Sequence, residues 1–241
     1  MTKKIALVTG GTRGIGAAIC IALRDAGYRP VANYGSNRAT AEAFTEHTGI
    51  AAHSFDVADF EAVRHGIDRI ETTLGPVDIL VNNAGITRDA TLHTMDYAHW
   101  EQVLRTNVFS CFNTCRCVIE GMRERGFGRI INIGSINGQT GPYGQVNYAA
   151  AKSAIHGFTK ALAQENAAQG ITVNTIAPGY IDTDMVRAVP AEVLAKIIAR
   201  IPVKRLGQPA EIARAVVFLA AEDAGFITGS ALSINGGQHM Y

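Results

Sequence analysis

Short apolar runs rich in β-branched residues recur along the chain, and each is followed by a stretch whose apolar positions repeat with helical spacing. Runs of roughly four to eight apolar residues bounded by turn signals suit strands buried on both faces. Their alternation with helices predicts a parallel sheet covered on both sides. "KKIALVT" is the first such run, and "GIGAAICIALRDAG" is a helix closing at Gly27. "YRPVANY" is a second strand, "ATAEAFTEHTG" a second helix and "IAAHSFDV" a third strand. "DFEAVRHGIDRIETTLG" is helical again, and "VDILVNNAG" is strand four. One long helical stretch is expected from Met95 to about Arg125, ahead of strand five, "GRIINIGS". A helix from about Gln145 to Gln169 leads to a sixth strand, "ITVNTIAPG", and "GSALSINGG" is the last. Between these two strands lie helices broken by Pro190, Pro202 and Pro209, because proline lacks the donor that a helix interior needs. No repeat, low-complexity stretch or Pro/Ser linker interrupts the pattern. The expectation is one doubly wound α/β domain over residues 1–241, with a cofactor-binding half to about 134 and a catalytic and substrate half from 135.

Composition agrees with this and narrows the partners. At 241 residues, 47% hydrophobic and 18% charged, the chain can enclose a full core. The net charge of +1 projects no basic field toward nucleic acid or an anionic membrane. Near the amino end the apolar run is only "IALV", short of the roughly 7–15 apolar residues of a signal peptide. No run approaches the roughly 18 apolar residues of a membrane span. A cytoplasmic location is expected. Cys20, Cys111, Cys115 and Cys117 lack paired C-x-x-C spacing. They are read as buried thiols in a reducing compartment, with no metal site assigned.

"TGGTRGIG", residues 9–16, falls between the first strand and the first helix. Glycines there let the backbone turn tightly and approach a phosphate, and the helix N-terminus offers unpaired N–H groups to the anion. The spacing Gly10, Gly14, Gly16 departs from strict G-x-G-x-x-G. An NAD site usually carries an acid after the second strand to bind the ribose 2′-hydroxyl. Here "NYGSNR", residues 33–38, contains none, whereas Arg13 lies in the glycine loop and Arg38 follows the strand. Two guanidiniums suit a 2′-phosphate, so NADP(H) is favoured; the alternative is two solvated surface arginines.

"NYAAAKSAIHGF", residues 147–158, sets Tyr148 and Lys152 one helical turn apart among alanines. A free phenol, with a pKa near 10, is a sluggish acid–base catalyst at neutral pH. An ammonium one turn away is expected to stabilise the phenolate and to draw that pKa down. The same amine can donate to ribose hydroxyls, and the alanines leave room for a bulky ring. His156 is read as a core or subunit-contact histidine and Trp100 as helix packing.

With "DV" at 56–57, "NNAG" at 82–85, Asn107 in "TNV", Ser135 in "NIGS" and "PG" at 178–179, the chain resembles the short-chain dehydrogenase/reductase family over its whole length. The resemblance implies a seven-stranded Rossmann sheet, a homotetramer and a catalytic group of Asn107, Ser135, Tyr148 and Lys152. It also implies a cofactor site that takes in Gly10, Thr12, Arg13, Gly14, Ile15 and Gly16, then Gly35 and Arg38. Asp56 and Val57 would meet the adenine, and Asn83, Ala84, Gly85 and Ile86 would line the channel. Pro178, Gly179, Ile181 and Thr183 would flank the nicotinamide, and Tyr148 and Lys152 would touch the cofactor too. Ser135 would bond the carbonyl oxygen, Tyr148 would deliver a proton, and Asn107 would hold a water linking Lys152 to solvent.

"ITRDATL", "SINGQTGPYGQVNY", "APGYIDTDM", "IPVKRLGQPAEIA" and "NGGQHM" are similar to bacterial 3-ketoacyl thioester reductases. Within that group they are most similar to those that reduce acetoacetyl-CoA to an (R)-3-hydroxyacyl-CoA for polyhydroxyalkanoate synthesis. Asp89, Gln139, Pro142, Tyr143, Gly144, Gln145 and Tyr180 are the substrate-contact candidates. Gln145 reads equally as a helix-terminal residue facing water. The competing substrate is an acyl-carrier-protein thioester, whose reductases tend to carry basic residues where this chain has Gly126 and Gln169. CoA is therefore favoured, although Arg123, Arg125 and Arg129 leave a basic neighbourhood nearby. A non-catalytic NADP(H)-sensing regulator is the remote alternative.

Overall fold

The computed structural model describes residues 3–240. Strand β1 (Ile5–Val8) leads through the glycine loop into α1 (Gly14–Asp25), then β2 (Arg29–Tyr34) and α2 (Arg38–Thr48). Next come β3 (Ala52–Ser54), α3 (Phe60–Leu74) and β4 (Val77–Asn82). Helices α4 (Tyr97–Leu104) and α5 (Ser110–Arg125) precede β5 (Gly128–Ile133). A short α6 (Asn137–Thr140), the long α7 (Val146–Asn166) and β6 (Ile171–Pro178) follow. The chain ends with α8 (Asp184–Arg187), α9 (Ala191–Arg200), α10 (Pro209–Ala220) and β7 (Ala231–Ile234).

All seven strands run parallel in the order β3-β2-β1-β4-β5-β6-β7. Alternate side chains of each strand point to opposite faces, and the apolar residues sort accordingly. Ala6 and Val8 join Ile19, Leu23, Ile212 and Val216 under α1 and α10. Ile5 and Leu7 join Val63, Ile67, Val118 and Met122 under α3 and α5. Both faces are thus sealed, at about 1.5–3 kcal/mol for each fully buried large aliphatic side chain. The order reverses between β1 and β4, so the connections leaving these strands diverge and open a crevice at their carboxyl ends.

Several elements differ from the sequence pattern. The helix expected from Met95 to Arg125 starts at Tyr97 and is interrupted by a π-helical turn, Arg105–Phe109, which turns the fully buried Asn107 inward. Strand three is confined to Ala52–Ser54, because this edge strand has only β2 to pair with; Phe55 and Val57 pack instead beneath α3. Pro190 and Pro209 sit at helix starts, where the missing N–H costs nothing. Helix α6, inside an apparent loop, had no periodic signal. No helix among the described residues is long and apolar enough to cross a membrane.

Candidate active site

The glycine loop forms a cradle at the crevice. Gly10 and Gly14 have φ of +61° and +52°, a region that favours glycine. A Cβ at Gly16 would lie 2.1 Å from the Gly10 carbonyl oxygen, so helix and loop touch through backbone alone. Side chains from neighbouring strands fasten the loop. Thr9 Oγ1 accepts from the N–H groups of Asn83 (2.9 Å) and Ala84 (3.0 Å), and Asn83 Nδ2 donates to the carbonyls of Thr9 and Gly10. Asn33, at the end of β2, accepts from Gly10 N and donates to the Phe55 carbonyl. The N-terminus of α1 carries no side-chain cap and no acid in its first turn, which leaves its N–H groups and dipole open to an anion. A backbone-lined cradle of this kind fits a dinucleotide pyrophosphate.

Around it stand most of the expected cofactor residues. Thr12 is buried and Arg13 exposed at the helix entrance, with Ile15 packed against the core behind. Thr183 directly precedes α8 and approaches Gly14, where an added Cβ would lie 3.6 Å from Thr183 Cγ2. Pro178 ends β6 beside Ser135's neighbour Ile136, whose N–H bonds the Pro178 carbonyl at 2.9 Å. Gly179 leaves no room for a side chain against Asn235, and Ile181 is buried. Gly35 and Arg38 lie at the outer end of β2. Arg38 is exposed and paired with Glu42 at 2.7 Å, so a phosphate there must compete with a carboxylate. Asp56 is exposed and accepts from Ala58 N, while the buried Val57 offers its carbonyl to Asn113.

Ser135, Tyr148 and Lys152 converge where β5 ends. Lys152 is buried, donates to the Ile133 carbonyl at 2.8 Å and lies 5.7 Å from the Tyr148 ring centroid. A Cβ at Gly85 would sit 2.5 Å from Asn107 Oδ1 and 3.6 Å from Lys152 Nζ, so those three close the floor together. One expectation is corrected here. Tyr148 is pushed up, not down: burial dominates, the Ser135 hydroxyl bond opposes it and Asp89 adds to the rise. Lys152 itself is pushed down to about 8 by burial. Both effects follow from desolvation, which disfavours whichever form is charged. The Asn107 amide is anchored within the chain. Its two N–H bonds go to the carbonyls of Ile86 (2.9 Å) and Val103 (2.8 Å), and its oxygen accepts from Ile86 N. Asn107 holds the channel loop in place.

Of the substrate candidates, Asp89 and Gln145 are joined: Gln145 Nε2 donates to Asp89 Oδ2 at 2.7 Å. Gly144 offers its carbonyl to Ala90 N, which ties the rim after β4 to the rim before α7. Pro142 is half-buried in the same loop. The other three have separate surroundings. Tyr143 is 92% exposed, Gln139 lies toward Ser233 of β7, and Tyr180 lines a cavity of about 220 Å³ with Ile201, Val203, Arg205 and Ile234. His156 is half-buried against Gly134, as a packing residue would be. The basic neighbourhood expected from Arg123, Arg125 and Arg129 is consumed internally. Arg123 donates to Asn166 and Glu165, Arg125 to the Val77 carbonyl beside Asp78, and the buried Arg129 to Ala221, Glu222 and Gly170. Thr9, Asn33, Asn137 and Asn147 escaped notice in the sequence. The available signal was a polar residue at the end of an apolar strand, for Thr9 and Asn33, and next to Tyr148 for Asn147.

With cradle, crevice and convergent hydroxyls on one rim, the class is defined: the chain belongs to the short-chain dehydrogenase/reductase family and is an oxidoreductase. The family profile described as "Enoyl-(Acyl carrier protein) reductase" matches residues 10–239. An acetoacetyl-CoA reductase of Rhizobium meliloti (strain 1021) is 61% identical over 239 residues, covering 99% of each chain. The acetoacetyl-CoA reductase of Cupriavidus necator is 50% identical over 245 residues, with complete coverage of both. A 3-oxoacyl-(acyl-carrier-protein) reductase of Haemophilus influenzae is 45% identical over 242 residues, again with complete coverage.

Proposed function

We propose that the protein reduces acetoacetyl-CoA to an (R)-3-hydroxyacyl-CoA with NADPH, feeding polyhydroxyalkanoate synthesis. The observation that carries the reaction type is the convergence of Ser135, Tyr148 and Lys152 beside the glycine cradle. When bound, the reduced dinucleotide would supply the hydride for the ketone carbon. As negative charge grows on the carbonyl oxygen, the Ser135 O–H donates to it and the Tyr148 phenol transfers its proton. A phenol held above its ordinary pKa keeps that proton at neutral pH, which suits the reductive direction. Lys152 would donate to the cofactor ribose and serve as the nearby proton source for Tyr148. Asn107 positions Gly85 and Ile86 along the cofactor channel. Gly10 through Gly16 and Asn83 would hold the pyrophosphate, Asp56 and Val57 would meet the adenine, and Arg13 and Arg38 would bind the 2′-phosphate.

The identity to acetoacetyl-CoA reductases supports the CoA thioester, and so does the fate of the arginines. An acidic carrier helix needs unpaired cations on the surface, and Arg123, Arg125 and Arg129 already bond this chain's own carbonyls and amides. A homotetramer in the cytoplasm belongs to the same reading. Phe109 and Phe112 on one side, and Phe218, Phe226 and Leu232 on another, are large apolar groups in solvent. The test is side-by-side turnover of acetoacetyl-CoA and its acyl-carrier-protein analogue, followed by loss of NADPH absorbance. Faster turnover of the carrier-protein substrate would reject the CoA reading, and no ketone reduction at all would reject the activity.

A further inference from the structure

Ser135 is attached to the rim of the site by an unbroken run of hydrogen bonds. The Asp89 carboxylate accepts from Gln145 Nε2 at 2.7 Å, Gln145 Oε1 accepts from Asn137 Nδ2 at 2.8 Å, and Asn137 N donates to Ser135 Oγ at 3.1 Å. The sense of the run is dictated from one end. An ionised carboxylate has no proton to give, so the Gln145 amide must turn its nitrogen to Asp89 and its oxygen to Asn137. Asn137 is thereby held at the start of α6, and its backbone N–H fills the Ser135 lone pair on that side. The hydroxyl hydrogen of Ser135 must turn away from that N–H, toward Tyr148 and the reacting oxygen.

We propose that Gln145 is a positioning residue: locked by Asp89 into one amide orientation, it holds Asn137 and thereby aims the Ser135 hydroxyl. This deepens the reading of the same site given above and departs from the expectation that Gln145 touches the acyl group. Gln145 also directly precedes α7, three residues before Tyr148, and its backbone pairs with Ala90 across the mouth, so one residue couples both rims to the proton donor.

Exchanging the partners tests this. Gln145→Glu sets two carboxylates face to face and breaks the run. Asp89→Asn combined with Gln145→Glu restores it, because Asn donates to Glu and Glu still accepts from Asn137. The expected result is a fall in kcat of about 100-fold for Gln145→Glu, the scale of a misplaced catalytic group. The KM for acetoacetyl-CoA should stay within about threefold, and the double variant should regain at least about tenfold. NADPH binding by fluorescence stays unchanged in all three proteins. A double variant as slow as Gln145→Glu, or a loss seen in KM alone, overturns the proposal and marks Gln145 as a ligand contact. Wild-type turnover is a separate reading: its absence with acetoacetyl-CoA sinks the proposed substrate. The run itself then remains testable through the side-chain amide protons of Gln145 in NMR. These must shift on Asp89→Asn, and unmoved signals overturn the proposal.

Discussion

Lys152 Nζ donates to the Ile133 carbonyl at 2.8 Å while lying 5.7 Å from the centre of the Tyr148 ring. Its hydrogen bond goes to the end of β5 and not to the phenol oxygen. In the protein alone, therefore, burial governs both groups: the phenol rises and the amine falls to about 8.

The buried amine has a consequence for stability. Its pKa falls from 10.5 unfolded to about 8 folded, so between those values the unfolded chain binds more protons and stability rises with pH. Below about pH 8 the folded protein carries the full penalty, of about 3 kcal/mol. Lys152→Met removes it at the cost of one hydrogen bond. The melting temperature of the variant relative to wild type is expected to drop by about 5 °C between neutral pH and pH near 10. A gap that stays constant across that window contradicts a depressed Lys152.

The raised phenol predicts opposite pH profiles for the two directions. Reduction needs the protonated phenol and should hold steady through neutral pH, declining only in strong alkali. Oxidation of the hydroxy thioester needs phenolate and should climb with pH. Tyr148→Phe should lower kcat by about 100-fold or more and leave NADPH fluorescence binding intact. Joint loss of binding and turnover would point to misfolding.

Cofactor choice rests on Arg13 and Arg38. Replacing both by Ala should weaken NADPH binding by about 100-fold, in line with charged hydrogen bonds, while NADH changes little. Since Glu42 holds Arg38, Glu42→Gln should strengthen NADPH binding severalfold. Equal losses for both dinucleotides would remove the 2′-phosphate from the account.

Gly85 reports on the floor of the site. Gly85→Ala drives a methyl against Asn107 Oδ1, which must give way and release Ile86. Stability is expected to fall by about 1–3 kcal/mol, with the KM for NADPH rising severalfold. A variant with wild-type melting and KM would show that Asn107 does not hold this loop.

Much of this architecture was legible because its signals are local. Strand and helix alternation, the glycines at 10, 14 and 16, and the turn spacing between Tyr148 and Lys152 all follow from side-chain type and short-range geometry. The π-turn at Asn107 was not legible, since the buried amide it presents bonds Ile86, a residue 21 positions earlier. Arg129 reads as a surface cation, yet it is buried beneath carbonyls of residues about 40 to 90 positions away.

Pattern along the chain thus settles the fold class, the glycine cradle and the one-turn spacing of Tyr148 and Lys152, because periodicity and backbone freedom act within a few residues. Packing in three dimensions decides the direction in which the Tyr148 and Lys152 pKa values move, the partners of the arginines and the run from Asp89 to Ser135. Desolvation and long-range hydrogen bonds depend on which distant groups the sheet brings together, and no local pattern encodes that.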